Sequence, residues 1–541
     1  MLLRCFLLTS VLFSVISVAQ EQDNFIATNR ASVAESSAIV DDSPVVRVAI
    51  AQVPMSFDPF ANKQVFSQQF KHLLFDPLIR WNKDHSLENR LVKSWKRIDN
   101  RTIRFNLRPN ILFHSGNKLT VDDVIWSFQY AKKQQNSNTY FLDKVESIKR
   151  ISTTSFDIRS DLSNFQLLDY LTHVFVLDAK FYRLHPGFLE SKPTILLPPI
   201  KELPLSGTGP YIISQYNPLL GIELKDNKNY WGEKPAIKAF RFILVNKPQS
   251  RLYTLLADDV QVSDALPNKS GYDLSGEHSK KLVKVPSYNA IILTINDKKS
   301  KVLHNENIRK ALSLAINKEG MLKYIFNGSG RIDSSFIPMV DSKILANENH
   351  YKQSIVSGYN LEKSKELMKE AKSPKTLSLL VMLDIEGNTE QAAVALTHML
   401  KNLDIKIKTK MVSSISEWDA QNLDFDLTIS TWHTRLIHPQ NVYEDLFFNS
   451  LLTAYIQDKF QKSSIATYDN FDQQFEFFKG LLQDSWVIPL LFQDEIWAER
   501  DIFNLEEIFS ANGIPYWSLF KLNEKGLRLE ADRVTNTNHN K

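Results

Sequence analysis

The chain has 541 residues, 43% hydrophobic and 23% charged, which is globular usage and excludes wholesale disorder. Lys and Arg number 65 against 61 Asp and Glu, a net charge of +4 with both signs spread throughout, so the clustered basic face of a nucleic-acid binder is missing. Glycine is scarce at 16, and the one cysteine, Cys5, lies in the N-terminal apolar stretch, which excludes disulfides, Cys-based zinc sites and thiol catalysis beyond that stretch.

Residues 1–19 read as a secretory signal peptide. Arg4 precedes an apolar run from Cys5 to Val18, and Ser17-Val18-Ala19 places small residues at the −3 and −1 positions, with the cut expected after Ala19. A retained membrane anchor is the alternative; the polar Gln20-Glu21-Gln22-Asp23-Asn24 that follows favours cleavage. Cys5 starts the apolar run instead of ending it, so a lipid-modified N-terminus is not expected, and no later stretch nears the ~20 apolar residues of a spanning helix. Residues 20–44 are polar, without a sustained period, and read as a flexible leader.

Val45–Ala51 is a β-branched run typical of a buried strand. Thr102–Arg108 alternates strictly, with Ile103, Phe105 and Leu107 on one face, and Ile111-Leu112-Phe113 is expected to extend that strand. A turn follows at His114-Ser115-Gly116-Asn117, then a helix from Thr120, whose pairing with Asp123 approximates a capping box. Ile308–Ile316 carries a helical apolar stripe. Strand Thr376–Leu383, helix Thr389–Asn402 and strand Ile405–Lys408 form a βαβ unit, which implies parallel pairing in an α/β fold. Phe425–Thr431 is strand-like and ends at Trp432, before a polar loop; in open α/β sheets ligands collect beyond such carboxyl ends. Core packing is the other role open to Trp432. Residues 524–541 are a polar tail.

Enzyme chemistry finds no support. HExxH, GxSxG, GxGxxG and P-loop patterns are all missing, and Gly328-Ser329-Gly330 lacks the Lys-Ser/Thr that would reach phosphate and magnesium. His433 and His438 are close enough to share a metal, but no neighbouring set completes the ligands, so no metal and no cofactor is expected. Asp122-Asp123 sits at a helix start, where the dipole favours negative charge.

A series of segments then resembles one family in family order: Phe57-Asp58-Pro59, Leu74-Phe75-Asp76-Pro77-Leu78, Leu91-Val92-Lys93-Ser94-Trp95, the long TIRFNLRPNILFHSGNKLTVDDV of 102–124, Gly207-Thr208-Gly209-Pro210-Tyr211, Asn229-Tyr230-Trp231-Gly232, Ile308–Ile316 and Asp424–Trp432. Together these resemble the periplasmic solute-binding proteins of peptide-, opine- and nickel-type ABC transporters, solute-binding family 5, over about residues 45–520. The resemblance implies an α/β, two-lobed periplasmic binding protein of type II, the large peptide-binding type, with an extra α+β domain inserted in the first lobe. Residues 45–62, 203–282 and 494–523 would form lobe I, 63–202 the inserted domain and 283–493 lobe II. Most of the matched motifs would be structural: Gly207 and Gly209 would serve backbone conformation, and His114 and Ser115 a turn.

The function so implied is capture of a peptide-like or other polar small solute between the lobes and delivery to an inner-membrane permease, by a monomer in the periplasm with no enzymatic activity. A ligand-occupancy sensor of the same fold, or an exported hydrolase, are the alternatives. Candidate ligand-binding residues are Met55, Ser56, Tyr140, Trp432, His433, Thr434 and Arg435. In the peptide-binding members an Asp three residues after the Trp pairs with the peptide α-ammonium; Arg435 stands there in this chain, which implies a preference for an anionic or amine-blocked ligand end. The alternative is that Arg435 points elsewhere and Glu444 or Asp445 supplies the acid.

Overall fold

The computed structural model describes residues 45–529 apart from 55, 61–64, 135–138, 187–199, 202–204, 267–278, 297–298, 334–335, 337–357, 372 and 466–470. The expected signal peptide and leader, and the tail from 530 onward, lie outside the described residues, as does Met55; residues 524–529 are helical.

The strands in chain order are β1 (Val45–Ile50), β2 (Ile79–Trp81), β3 (Leu87–Asn89), β4 (Val92–Asp99), β5 (Thr102–Leu107), β6 (Val145–Arg150), β7 (Ser155–Ser160), β8 (Ile200–Lys201), β9 (Tyr211–Asn217), β10 (Gly221–Asp226), β11 (Ala239–Leu244), β12 (Val262–Ser263), β13 (Lys280–Ile295), β14 (Thr376–Met382), β15 (Lys406–Val412), β16 (Leu427–His433) and β17 (Val487–Arg500). An 11-stranded sheet runs β15-β14-β16-β13-β17-β12-β1-β11-β10-β9-β8, a 4-stranded sheet runs β4-β5-β7-β6, and β2 pairs with β3.

The two longest strands link the halves of the large sheet. Lys280–Val285 of β13 pairs with Glu495–Arg500 of β17, the register breaks between Val285 and Asn289, and Asn289–Thr294 then pairs with Val487–Gln493. Pro286 lies in that break, where its missing N–H disturbs no ladder bond. On the near side β17 pairs with β12, which lies against β1; on the far side β13 pairs with β16, which leads to β14 and β15. Ile291, Leu293, Leu379, Val381, Leu427 and Ile429 pack in one core with Ala311 and Leu312 of the helix Glu306–Leu314 and Ala392 and Leu396 of the helix Asn388–Leu400. The βαβ unit is present: β14 and β15 pair in parallel across the helix Asn388–Leu400.

Two local expectations change. Ile111–Phe113 does not extend β5: Asn110 turns the chain at φ 60°, a conformation Asn tolerates, and Leu112 makes only an isolated bridge to Lys118. At Thr120 only half of the capping box forms. The Thr120 amide (2.8 Å) and hydroxyl (2.9 Å) both donate to Asp123 Oδ2, so the hydroxyl is a donor to the carboxylate instead of an acceptor from the helix.

The family-like motifs meet at a buried carboxylate. Asp76 accepts from Arg90 Nη2 (2.9 Å), the Thr208 hydroxyl (3.1 Å) and the Trp231 indole (2.9 Å), and Arg90 lies over the Trp231 ring at 4.7 Å. Segments far apart in sequence are thereby fixed around one charge that is fully hydrogen-bonded, the condition for burying it. His114 does more than turn the chain: its ring bonds to the Gly207 amide (3.3 Å) and the Gly209 carbonyl (3.0 Å). Gly207 and Gly209 are required by close approach, because a Cβ at either position would run into the backbone of Leu74.

Candidate functional site

β16 continues through His433, so Trp432 lies inside the strand and not just past its end. The chain then crosses to the helix Pro439–Asn449, which starts with Pro at its first position and with His438 as N-cap, its Nδ1 accepting from the Gln440 amide at 3.2 Å. Asp169, on the helix Asn164–Leu171, holds the crossing. Its carboxylate accepts from the amides of Ile437 (3.1 Å) and His438 (2.9 Å), from Asn441 Nδ2 (2.9 Å) and from the Trp81 indole (3.1 Å). Burial nevertheless pushes Asp169 up to about 6, with those bonds pulling the other way.

A cavity of about 370 Å³ opens against this crossing. Its walls come from three stretches distant in sequence: Pro59, Phe60, Gln68 and Lys71; then Tyr140, Phe141, Tyr170 and His173; then Met382, Ile415, Thr431–Leu436, Asp445, Ser450 and Leu451. The volume falls in the range of small-molecule sites, and the lining is mostly apolar with a few convergent polar groups.

The candidate residues divide. Trp432, His433, Thr434, Arg435 and Tyr140 all line the cavity. Trp432 is buried, stands edge-on to Phe336, and donates its indole N–H to Asp445 at 3.2 Å. The Tyr140 and Tyr170 hydroxyls are 2.7 Å apart, and Tyr170 donates to Glu444 at 2.8 Å. The Thr434 hydroxyl accepts from the Leu436 amide at 3.2 Å. Ser56 stands elsewhere, beside a crevice of about 10 Å³ formed with Pro54, Phe57, Phe70 and Leu74, where its hydroxyl accepts from the Asp58 amide.

Arg435 reaches the wall with its charge already matched. Nη2 pairs with Glu495 on β17 at 2.6 Å, Nη1 donates to the Asn512 carbonyl at 2.6 Å, and Asn512 Nδ2 returns a bond to the Arg435 carbonyl at 2.5 Å. Gly513, at φ 74°, leaves room for this, since a Cβ there would lie 2.5 Å from Nη1. Glu444 is engaged by Lys144, by Tyr170 and by Gln440 Nε2 (3.2 Å) and does not line the cavity; Asp445 does.

Lys71, Gln68, Tyr170, His173 and Ile415 had no signal in hydrophobic period or motif; only the lysine inside the apolar Phe70-Lys71-His72-Leu73-Leu74-Phe75 run is unusual in sequence. Burial lowers His173 to about 4, His438 to about 4 and Lys71 to about 8, with Asp58 supporting the Lys71 charge. Among the described residues no group of three His, Cys, Asp or Glu could hold a metal ion, and no helix is long and apolar enough to cross a membrane.

Residues 86–451, more than half of the chain, match the family described as bacterial extracellular solute-binding proteins, family 5 (middle). The chain belongs to that family. Similar relatives include the peptide transport periplasmic protein SapA of Salmonella typhimurium, 25% identical over 447 residues, 77% of this chain and 78% of that protein. The nickel-binding periplasmic protein of Escherichia coli is 25% identical over 333 residues, 59% of each chain. Among solved structures, a Pseudoalteromonas dipeptide-binding protein in complex with Met-Leu superposes with a TM-score of 0.71 at 15% identity, covering 89% of this chain and 100% of its own. AgaA of A. tumefaciens R10 in complex with agropinic acid superposes at 0.66 and 18% identity, covering 89% and 99%. These family 5 neighbours establish the fold as the two-lobed α/β arrangement of type II periplasmic binding proteins.

Proposed function

We propose that this family 5 protein captures a peptide-like solute in the cavity under Trp432 and delivers it to the permease of an ABC importer. The carrying observation is the cavity itself: about 370 Å³, walled by three sequence-distant stretches, with Lys71, Arg435 and Asp445 among its lining residues. SapA and the dipeptide-binding protein of Escherichia coli, 27% identical over 311 residues, support the peptide-like class. The walls belong to lobe I (45–62, 203–282, 494–523), the inserted domain (63–202) and lobe II (283–493). A ligand there touches all three, and binding draws the lobes together.

The protein acts as a monomer in the periplasm after cleavage behind Ala19, and it performs no reaction on its ligand. Arg435, on this reading, is a strut that ties the crossing to β17 through Glu495, and an anionic ligand end does not depend on it. Native mass spectrometry of the purified protein, with the retained small molecule identified, tests the proposal. Recovery of an intact peptide-sized solute is expected. Conversion of that solute to product on incubation, or exclusive recovery of a non-peptidic metal chelate, would overturn it.

A further inference from the structure

A second cavity, of about 840 Å³, shares no lining residue with the one under Trp432. Its lining includes Pro248 and Gln249 in the first turn of the helix Pro248–Leu256, whose Leu252 and Leu255 pack with Ala49, Ile496 and Ala498. It also takes in Glu386 and the helix Asn388–Leu400, which belongs to the other core, with Leu379 and Val381. Along that helix Glu390, Val394 and His398 recur every fourth residue as an exposed stripe, while Ala392, Ala393 and Leu396 are buried. The lining holds two carboxylates, Glu386 and Glu390, and no lysine or arginine; the Lys323 ammonium lies over the Tyr324 ring at 5.0 Å, outside it. Neither carboxylate forms an ion pair with a described residue, and Glu386 accepts only from its own amide. Burial pushes Glu386 well above the ordinary carboxyl value, the charges of Asp384 and Glu495 add to this, and Arg251 opposes it. Arg251 gives that support without a bond, because its donors go to the carbonyls of Asp264 (3.0 Å), Val245 (2.9 Å), Asn246 (3.0 Å) and Ala265. Glu386 therefore lacks the counter-charge that burying a carboxylate calls for.

We propose that this cavity is a second binding site, for an organic cation: a primary amine on an apolar chain, its ammonium toward Glu386 and Glu390 and its chain along Val394 and Met399. The volume suits a small molecule, and a mostly apolar lining with a few charged groups of one sign selects the opposite sign. An ammonium brings three donors to carboxylates that have no cation of their own. Because the lining is drawn from both cores, the occupant bridges the near and far sides of the large sheet. The site is separate from the solute cavity, and its test does not depend on which solute that cavity takes.

Saturation-transfer NMR titration with hexylamine tests this, with hexanoate and hexanol as controls of equal chain length. Wild-type protein should give a saturable signal from the amine and a weaker one from either control. Glu386→Gln should weaken hexylamine binding by about tenfold or more, the loss of one charge-assisted bond. Val394→Arg, which sets a cation on the exposed stripe, should weaken it as much, and it tests the site on its own if Glu386→Gln does not fold. Asp445→Asn, in the cavity under Trp432, should leave hexylamine affinity unchanged. No amine signal in the wild type, signals from hexanoate or hexanol equal to it, or an affinity unchanged in both Glu386→Gln and Val394→Arg overturns the proposal. So does an affinity lost in Asp445→Asn, which would put the amine in the solute cavity.

Discussion

Arg435 decides between two accounts of this site, and its removal separates them. In the structure the guanidinium is almost wholly buried, pairs with Glu495 at 2.6 Å and caps the Asn512 carbonyl at 2.6 Å. Arg435→Met leaves a largely buried carboxylate and a carbonyl without those donors. Breaking a buried pair from one side costs about 3–5 kcal/mol, and the partial exposure of Glu495 argues for the lower end. Glu495→Met leaves the guanidinium without its carboxylate and should cost a similar amount. The double variant replaces both charges with apolar side chains of similar length and should recover at least about 2 kcal/mol of the summed loss. At roughly 2 cal/mol/K per residue, a folded unit of this size unfolds with about 1 kcal/mol/K, so each single variant lowers Tm by about 3 °C. Differential scanning calorimetry on the four proteins of the cycle measures this. If Arg435→Met leaves Tm unchanged but shifts ligand preference away from anionic ends, the guanidinium serves the ligand and the strut account is wrong.

His173 and His438, both lowered to about 4 by burial, bind protons more weakly folded than unfolded, so their contribution is complete above about 6.5 and is lost as pH falls toward 4. His173→Gln should therefore flatten the loss of stability across pH 6.5 to 4 relative to the wild type by up to about 3 kcal/mol, read as about 3 °C of Tm. Asp169→Ala strips the acceptor from four donors that hold the crossing after β16, and should cost about 3–5 kcal/mol together with ligand affinity; unchanged melting and binding would show that the crossing holds without it. A ligand at 100 times its Kd should raise Tm by about 3 °C, equivalent to about 2.7 kcal/mol. Small-angle scattering should show the molecule contracting as it binds, and identical profiles would rule out closure.

Much of this molecule was legible in one dimension. The β-branched run of β1, the alternation of β5, the helix over 306–314 and the β14–helix–β15 unit all follow from local period, because each buries one face whatever else surrounds it. Ordered motifs were enough for the family, since Asp76, Thr208, Trp231 and His114 form contacts on which the fold itself depends. The strand before Trp432 was legible too, although β16 runs on through His433 and takes Trp432 inside it. Tertiary structure decided the charges. Arg435 reads from sequence as a cation awaiting a ligand, yet a strand 60 residues later brings Glu495 to it. Lys71 carries no reading in the sequence, and becomes part of a cavity wall only when residues 140–173 and 431–451 come beside it. Hydrophobic period is a local property of the chain, whereas the field at a buried charge is summed over every neighbour that the fold brings near.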